Sequence, residues 1–234
     1  MKNLNKNPEL ISKMFDEIAP KYDLLNHLLS FNIDKIWRKK VRKIIEKNDF
    51  SNLLDIATGT GDLAIELSKI NNLKITGIDI SAKMLDIAKQ KIEKKNKSNQ
   101  IEFILADSTN LPLSSDSYDA ATCAFGVRNF ENLNDGLTEI YRVLKNDGLL
   151  VILEFTTPQK KFFAKFFKFY FKRILPKIGK IISKSSFAYN YLPDSVSQFP
   201  QNEYFMKILE QNNFKPITYT ILSQGIASIY LAKK

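Results

Sequence analysis

Short apolar segments alternate with single helical segments through the middle of this 234-residue chain, and this alternation restricts the possible folds most strongly. Strands of a parallel sheet are predicted at residues 53–57, 74–79, 101–105, 119–125 and 149–155, and helices at 62–70, 81–95 and 132–145. Strands joined by single helices favour a parallel sheet covered on both faces. Residues 215–222 and 226–232 flank Gln224 and Gly225 and predict an antiparallel C-terminal hairpin. We therefore expect an α/β fold with a seven-stranded, mostly parallel sheet.

No internal repeat or linker divides the chain, which indicates one domain over residues 1–234. Residues 1–50 read as a helical N-terminal cap, with helices near 13–17 and over 34–47. The cofactor-binding core is expected over 51–156, a substrate-facing or lipid-facing helical insertion over 157–200, and a C-terminal helix, at 203–212, and hairpin over 201–234. Residues 146–148 read as the turn that ends the helix before the fifth strand.

The composition is ordinary for a globular protein, with 44% hydrophobic and 26% charged residues and a net charge of +10. Only five of the 35 basic residues are arginine, so we attribute the charge to a general lysine bias and expect no nucleic-acid partner. No apolar run is long enough to cross a bilayer, and the first ten residues lack the apolar core of a secretory signal. The single cysteine excludes an internal disulfide and a cysteine-based metal site, no other metal pattern is present, and we expect a cytoplasmic protein.

A glycine-containing loop between the first strand and its helix is the first candidate binding site. It reads Asp55-Ile-Ala-Thr-Gly-Thr-Gly61, and Gly59 and Gly61 allow a tight turn and a close approach of the backbone to a ligand. The helix that follows offers free N–H groups to an anion. Asp79 ends the next strand, 18 residues after Gly61, where its carboxylate can accept hydrogen bonds from two ribose hydroxyls.

The spacing of acidic residues distinguishes two adenosine-containing ligands, since the glycines alone fit a loose dinucleotide fingerprint. Asp55 precedes the loop, where an acid can contact the ammonium of a methionine moiety, and Asp107-Ser108 follows the third strand, where it can read an adenine edge. These positions favour S-adenosylmethionine over a nicotinamide dinucleotide. The cofactor-binding residues that we expect are Asp55, Thr58, Gly59, Thr60, Gly61, Asp79, Ile80, Asp107, Ser108 and Ala124.

Four further motifs are more specific than the glycine loop. They are Tyr22-Asp-Leu-Leu-Asn26 with Trp37-Arg38, Phe125-Gly-Val-Arg-Asn129, Arg142-Val-Leu-Lys145 with Leu153-Glu-Phe-Thr156, and Ala188-Tyr-Asn-Tyr-Leu-Pro193. With these motifs the chain resembles the ubiquinone/menaquinone biosynthesis C-methyltransferase family over essentially its whole length. The resemblance implies a Rossmann-like class I S-adenosylmethionine-dependent methyltransferase that methylates a ring carbon of a reduced polyprenyl quinone. It also implies cofactor contacts at Thr60, Asp79, Asp107 and Ser108.

Three side chains are expected to act on the acceptor ring, whose phenolic hydroxyl must ionise to activate the ring carbon. Arg128 is expected to stabilise the oxyanion or orient a water, Asn129 to hold the ring oxygen or that water, and Tyr22 to cover the sulfonium with its ring. A surface salt bridge for Arg128 and a core position for Tyr22 stay open as alternatives. We expect His27 to be a helix-face residue and Cys123 to be a buried packing thiol.

Residues 160–173 read KKFFAKFFKFYFKR, which places lysines on one narrow helical stripe and aromatics on a broad opposite face. We expect this face to be buried or to contact a polyprenyl tail, and peripheral membrane contact stays open. A homodimer is also left open. Other functions to distinguish are methylation of another small phenol or a sterol, methylation of RNA, and cofactor binding without catalysis.

Overall fold

A computed structural model describes residues 4–158 and 186–234. The helices are α1 Pro8–Leu29, α2 Ile33–Ile45, α3 Asp62–Leu67, α4 Ala82–Lys94, α5 Leu133–Val143, α6 Ser186–Gln198 and α7 Glu203–Gln211. The strands are β1 Asn52–Ile56, β2 Lys74–Asp79, β3 Ile101–Leu105, β4 Tyr118–Ala124, β5 Leu144–Phe155, β6 Lys215–Leu222 and β7 Ala227–Lys233. Each strand and helix predicted in the core and at the C-terminus is present, with ends that differ by a few residues.

The seven strands form one sheet in the order β3-β2-β1-β4-β5-β7-β6. Strands β1 to β5 pair in parallel, whereas β7 pairs antiparallel with both β5 and β6. The predicted mostly parallel sheet with an antiparallel hairpin is confirmed. The usual dinucleotide-binding order is 3-2-1-4-5-6, so the strand inserted between β5 and β6 departs from that fold.

The central strands of the sheet, β1, β2, β4 and β5, are largely buried on both faces, as parallel strands require, whereas the edge strands β3 and β6 are partly exposed. One apolar cluster joins the sheet to α5 and α7, and includes Leu137, Phe205 and Tyr230. A second cluster joins the opposite face to α2 and α3, and includes Trp37 and Leu67. The strand order changes direction at β1, because β2 and β3 lie on one side of it and β4 and β5 on the other. The carboxyl ends of β1, β2 and β4 therefore border a crevice.

Helix α1 is much longer than the prediction of a helix near residues 13–17, which was wrong about where it starts. The Asn7 side chain accepts hydrogen bonds from the backbone N–H groups of Glu9 and Leu10, and Pro8 occupies the first turn. An asparagine cap followed by proline is a common helix start. The helix then carries Ile11, Met14 and further apolar residues onto α4, which extends the helical cap across the crevice.

The predicted turn at residues 146–148 lies inside β5 and not before it. Helix α5 ends at Val143, and Leu144 already pairs with Tyr118 of β4. The next pair joins Leu149 to Ala120, so the intervening residues of β5 form an outward bulge. Asp147 adopts a φ of 62° within this bulge. The turn residues were recognised correctly, but their effect is a bulge in a longer strand.

Within the described ranges, the structure contains no helix long and apolar enough to cross a membrane. The predicted lipid-facing segment 160–173 lies outside the described residues. Helix α6, which follows it in the chain, contributes Tyr191 to the apolar cluster of α1 and α4.

Candidate functional site

A cleft opens at the carboxyl ends of β1, β2 and β4, where α1 crosses the sheet edge. Its walls include predicted cofactor-binding and catalytic residues as well as side chains of the N-terminal segment. The lining residues are Lys6, Pro8, Ile11, Phe15, Tyr22, Ala57, Gly59, Asp79, Ile80, Met84, Asp107, Ser108, Ala124, Phe125, Gly126, Asn129, Phe130 and Glu131. Thus Tyr22, Gly59, Asp79, Ile80, Asp107, Ser108, Ala124 and Asn129 come together as predicted, although they are spread over more than a hundred residues.

The glycine loop brings backbone close to this cleft. Gly59 adopts a φ of +57°, and among residues 4–158 and 186–234 a Cβ at this position would meet nothing closer than the Tyr22 ring, at 4.0 Å. The space above Gly59 is therefore open to a ligand, and the backbone conformation is one that side chains disfavour. Ala57 and Phe125 also adopt positive φ values, 52° and 61°, on the cleft wall. Such conformations in residues with side chains concentrate at functional sites.

Asp79 is the best-prepared ligand group in the cleft. Its carboxylate accepts hydrogen bonds from the backbone N–H of Gly59, at 2.8 Å, and of Ser81, at 2.9 Å. Each carboxylate oxygen keeps a free lone pair, so the group can still accept two hydroxyls of a sugar. Burial raises the pKa of Asp79 to about 6, although hydrogen bonds from the backbone of Ser81, Gly59 and Ile80 oppose the shift. Ionising Asp79 in the folded protein therefore costs more free energy than ionising an exposed aspartate, and this residue lies at the position predicted for ribose binding.

Asp55 lies beneath the loop and does not line the cleft. It is 1% exposed, and its carboxylate accepts hydrogen bonds from the hydroxyls of Thr58, at 2.6 Å, and Thr122, at 2.7 Å. Burial raises the pKa of Asp55 to about 6 against these two hydrogen bonds. Asp55 and Thr58 thus tie the loop to β1 and β4 from below, where the sequence led us to expect contact with the ligand.

Thr60 and Gly61 also lie outside the cleft lining, on the side of the loop that faces the helical cap. The Thr60 hydroxyl donates to the Asp23 carboxylate of α1, and Lys91 of α4 bonds to Asp23 at 2.8 Å. Lys91 also pairs with Asp62, at the first position of α3. These contacts connect α1 to the glycine loop and to α4.

A second ion-pair group explains His27. Its Nδ1 lies 2.8 Å from Asp34, and Asp34 also pairs with Arg38 one turn along α2. The Arg38 guanidinium lies 3.6 Å from Asp62, which links this group to α3. A hydrogen bond from the Ser30 hydroxyl, the Arg38 guanidinium and the His27 ring together hold the pKa of Asp34 below its usual value despite burial. His27 is a helix-face residue in this network and does not line the cleft.

Arg128 is buried and forms an internal ion pair. It therefore does not form the surface salt bridge that was left open as an alternative, and its side chain is not part of the cleft lining. The residue is 5% exposed, and its Nη1 lies 2.7 Å from Oε1 of Glu154, a fully buried residue at the end of β5. The same nitrogen donates to the Phe125 carbonyl. The Arg128 guanidinium lies over the Phe155 ring, at 5.5 Å. Burial raises the pKa of Glu154, although the Arg128 charge opposes this.

Two buried polar atoms beside the cleft lack hydrogen-bond partners among the described residues, namely Arg128 Nε and Asn129 Oδ1. Asn129 lines the cleft, and its Nδ2 lies 3.4 Å from the Phe125 carbonyl. Buried polar atoms without partners are rare in native proteins, so a water or ligand is expected here. Together with the carboxylate of Asp79 and the open turn at Gly59, these atoms fit an adenosyl ligand and a hydroxylated acceptor.

Aromatic residues complete the wall near Tyr22. The Tyr22 ring packs edge-on against Phe15 of α1, with ring centroids 6.1 Å apart. Burial raises the pKa of the Tyr22 hydroxyl. The placement supports both interpretations of Tyr22, since the ring belongs to the apolar cluster of α1 and also faces the cleft.

The sequence interpretation missed the contribution of the N-terminal segment and of Phe130 and Glu131. Lys6 and Pro8 precede or begin α1, and the capping signal at Asn7 marks where this helix starts but not that it brings them to the cleft. Cys123 is fully buried in β4, and burial raises the pKa of its thiol well above the usual value. Gly126 packs so tightly that a Cβ would lie 2.7 Å from the Cys123 sulfur. The prediction of a buried packing thiol is confirmed.

Comparison with known proteins gives one consistent family. The profile of the ubiE/COQ5 methyltransferase family matches residues 1–234. The chain is 43% identical to the ubiquinone/menaquinone biosynthesis C-methyltransferase UbiE of Geotalea daltonii, and the match covers all of both chains. It is 45% identical to a demethylmenaquinone methyltransferase of Chlorobaculum parvum, over 98% of this chain and 94% of the relative. A demethylmenaquinone methyltransferase of Bacteroides fragilis is 41% identical over 99% of this chain and 95% of its own.

Solved structures share the fold at lower identity. A putative S-adenosylmethionine-dependent methyltransferase of Methanococcus maripaludis superposes with a TM-score of 0.64, at 22% identity over 94% of each chain. The [4+2]-cyclase SpnF superposes with a TM-score of 0.71, at 15% identity over 96% of this chain and 94% of that one. Because a cyclase shares this fold, the fold alone does not determine the reaction. The Rossmann-like methyltransferase fold that the sequence predicted is confirmed.

Proposed function

The chain belongs to the ubiE/COQ5 methyltransferase family, and we propose that it uses S-adenosylmethionine to methylate a ring carbon of a reduced polyprenyl quinone precursor. The proposal is carried by one observation: full-length relatives at 41–45% identity are named for this chemistry. It is supported by the cleft, whose lining includes Tyr22, Asp79 and Asn129. Demethylmenaquinol and a polyprenyl methoxybenzoquinol are the two acceptors to compare.

Asp79 and Asp107-Ser108 are the residues that we assign to the adenosine part of the cofactor. The buried Asp79 carboxylate accepts the ribose hydroxyls, and Asp107 and Ser108 lie farther along the same wall, where they bind the adenine edge. Gly59 and Ile80 provide the surfaces that pack against the ligand. When bound, S-adenosylmethionine supplies a methyl group activated by a positively charged sulfur.

The loop residues that do not line the cleft act indirectly in this proposal. Asp55 and Thr58 hold the loop from below, and Thr60 holds α1 through Asp23. Gly61 turns the chain into α3 at a φ of 78°. Their substitution should weaken cofactor binding by moving Gly59, because a backbone turn binds a ligand well only when it is preorganised.

The acceptor ring must be held with one hydroxyl ionised, because a phenolate makes the ring carbon nucleophilic, whereas a free phenol has a pKa near ~10. Asn129 Oδ1 can accept a hydrogen bond from a ring hydroxyl, and it lacks a partner among the described residues. That hydroxyl stays protonated, whereas Arg128 acts on the ionised ring oxygen through an ordered water, and Glu154 fixes the Arg128 guanidinium. Tyr22 excludes water from the reacting atoms.

The division of the chain is part of the proposal. Residues 1–50 form the cap, 51–156 the cofactor-binding core, 157–200 the acceptor-facing insertion, and 201–234 the closing helix and hairpin. The Lys and Phe pattern of residues 160–173 supports contact with the polyprenyl tail or with a membrane surface. Flotation with liposomes, with and without anionic lipid, separates these two roles. Binding of the protein to anionic liposomes that disappears in high salt supports contact with a membrane surface. If the protein binds no liposomes, contact with the polyprenyl tail is the role that is supported.

The function is tested by incubating the purified chain with S-adenosylmethionine carrying a labelled methyl group and each hydroquinone under reducing conditions. We expect the label on a ring carbon of the product. A parallel reaction with an unprenylated phenol tests the alternative of a small phenolic acceptor. Label in neither quinone product, with the cofactor bound, contradicts the proposed acceptor class.

A further inference from the structure

Lys6 is a cationic residue of the cleft lining to which the proposed reaction gives no role. It lies in the segment before α1, it is half-buried, and it shares the cleft lining with Tyr22 and Asn129. Its ammonium forms no salt bridge with a carboxylate of the described residues, in contrast to the Lys91 ammonium, which bonds to two. Leaving a lysine half-buried without an anion is unfavourable, so the position invites an anionic ligand.

The charges around Lys6 identify which end of the cleft it occupies. Burial and the Arg128 charge lower the pKa of Lys6, while the Glu154 charge raises it. Lys6 also shares the cleft lining with Asn129, the residue next to Arg128 in the chain, so it lies toward the Arg128 end of the cleft. Of the other charged groups that line the cleft, Asp79 and Asp107 belong to the adenosine end, and Glu131 is exposed to solvent.

The Arg128 charge is already balanced by Glu154. These two side chains are 6% and 0% exposed and lie 2.7 Å apart, so the pair presents a dipole to the cleft and little net charge. A second anion next to Arg128 would therefore gain less than it would from an unpaired guanidinium. The net positive charge at this end of the cleft comes from Lys6.

We propose that the ammonium of Lys6 is the counter-ion of the ionised hydroxyl of the acceptor ring, at the Arg128 end of the cleft. This inference rests on the proposed function, because it takes the acceptor to be a phenol. The hydroxyl releases its proton to solvent as the ring binds, and the Lys6 ammonium stabilises the oxyanion that remains. An opposite charge within about 4–6 Å lowers the pKa of an acid by roughly 1–3, so the ionised fraction of a phenol with a free pKa near ~10 rises roughly 10- to 500-fold at pH 7.

Three variants separate the charge of Lys6 from its size and position. Lys6→Met removes the charge and keeps the length of the side chain, and Lys6→Arg keeps the charge. Lys13→Met removes an exposed lysine of α1 and serves as the matched control. Thermal unfolding of each variant shows that it is folded, and Lys6→Gln replaces Lys6→Met if the methionine disturbs the segment before α1.

The first readout is independent of methyl transfer. A nitrophenol, whose ionised form absorbs visible light, is titrated against pH with the protein and S-adenosylhomocysteine present. We expect the wild type, Lys6→Arg and Lys13→Met to lower the pKa of the bound probe, and Lys6→Met to leave it near the free value. A wild type that leaves the probe unshifted, or a Lys6→Met protein that shifts it as the wild type does, overturns the proposal.

The second readout is the pH dependence of turnover with the hydroquinone. Lys6→Met should lose roughly tenfold or more of kcat near pH 7 and recover as the pH approaches the pKa of the free phenol, near ~10. Lys6→Arg should keep the wild-type profile. A loss in Lys6→Met that is the same at every pH contradicts the counter-ion role. If no quinone is methylated by the wild type while the probe still responds to Lys6, the acceptor class is wrong and the phenolate site stands.

Discussion

Asp79 must be ionised to accept two ribose hydroxyls, and its burial makes this ionisation sensitive to pH just below neutrality. Burial raises its pKa from 3.8 to about 6. With a pKa of about 6, roughly nine-tenths of the free protein is ionised at pH 7 and roughly one-tenth at pH 5. The dissociation constant for S-adenosylmethionine should therefore rise about tenfold between pH 7 and pH 5, or about 1.4 kcal/mol.

Isothermal titration calorimetry with S-adenosylmethionine, at half-unit steps from pH 5 to pH 8, measures this change. Asp79→Asn should bind weakly at pH 7 and lose most of the pH dependence, because its amide does not titrate. Asp107→Asn is the matched control, which weakens binding but keeps the pH dependence. The reasoning is refuted if wild-type affinity is constant from pH 7 to pH 5, or if Asp79→Asn keeps the full dependence.

Three further substitutions test how the site is held. Asp55→Asn replaces a buried carboxylate, whose pKa burial raises from 3.8 to about 6, by a neutral amide. The free energy of unfolding at pH 7 should therefore increase by up to roughly 3 kcal/mol. Because the folded protein binds the proton more tightly, this gain should vanish as the pH falls from about 6 to about 4 in urea unfolding curves; an equal gain at all pH values would contradict it. Glu154→Ala should lower the free energy of unfolding by about 3–5 kcal/mol, since it leaves Arg128 buried without a counter-charge. Converting the pair to Arg128→Met with Glu154→Leu should recover most of this loss, and a double variant as unstable as the single one would argue against a charge effect. Gly59→Ala meets no close atom but keeps a φ of +57°, so it should cost about 1–2 kcal/mol of stability. The same substitution should weaken S-adenosylmethionine binding roughly tenfold or more, about 1.4 kcal/mol, and calorimetry showing unchanged affinity would place the ligand elsewhere.

The features that the sequence predicts well depend on local pattern. Strands β2 and β3 were placed at their observed ends because apolar runs and flanking turn residues are local signals. Asp79 and Asp107 were recognised because each directly follows or ends such a strand, and parallel strands end at one edge of the sheet. The hairpin was predicted for a similar reason, since Gln224 and Gly225 stand between two strand patterns, and both residues adopt positive φ values in the structure.

Features that depend on distant contacts were not predictable. The sequence gives no indication that Arg128 meets Glu154, 26 residues away, or that Thr122 pairs with Asp55 on the adjacent strand, 67 residues away. Periodicity also failed at α1, where Pro20 and an uneven apolar pattern concealed a helix of 22 residues. Lys6 was overlooked because a lysine near a chain terminus is usually solvated, and only the path of α1 brings it to the cleft.

The charged groups around the cleft show why its chemistry and its stability oppose each other. Asp55, Asp79 and Glu154 are fully or almost fully buried, and burial raises the pKa of all three. A fold selected for stability alone would replace such groups by apolar residues, because desolvated charges cost free energy. These groups lie together at the ends of β1, β2 and β5. This is the pattern expected of groups that are already positioned before the ligand binds, because binding then requires little reorganisation of the site. Binding of the sugar hydroxyls at Asp79 and of an oxyanion at Lys6 would satisfy charges that the folded protein already carries, so ligand binding should stabilise the fold.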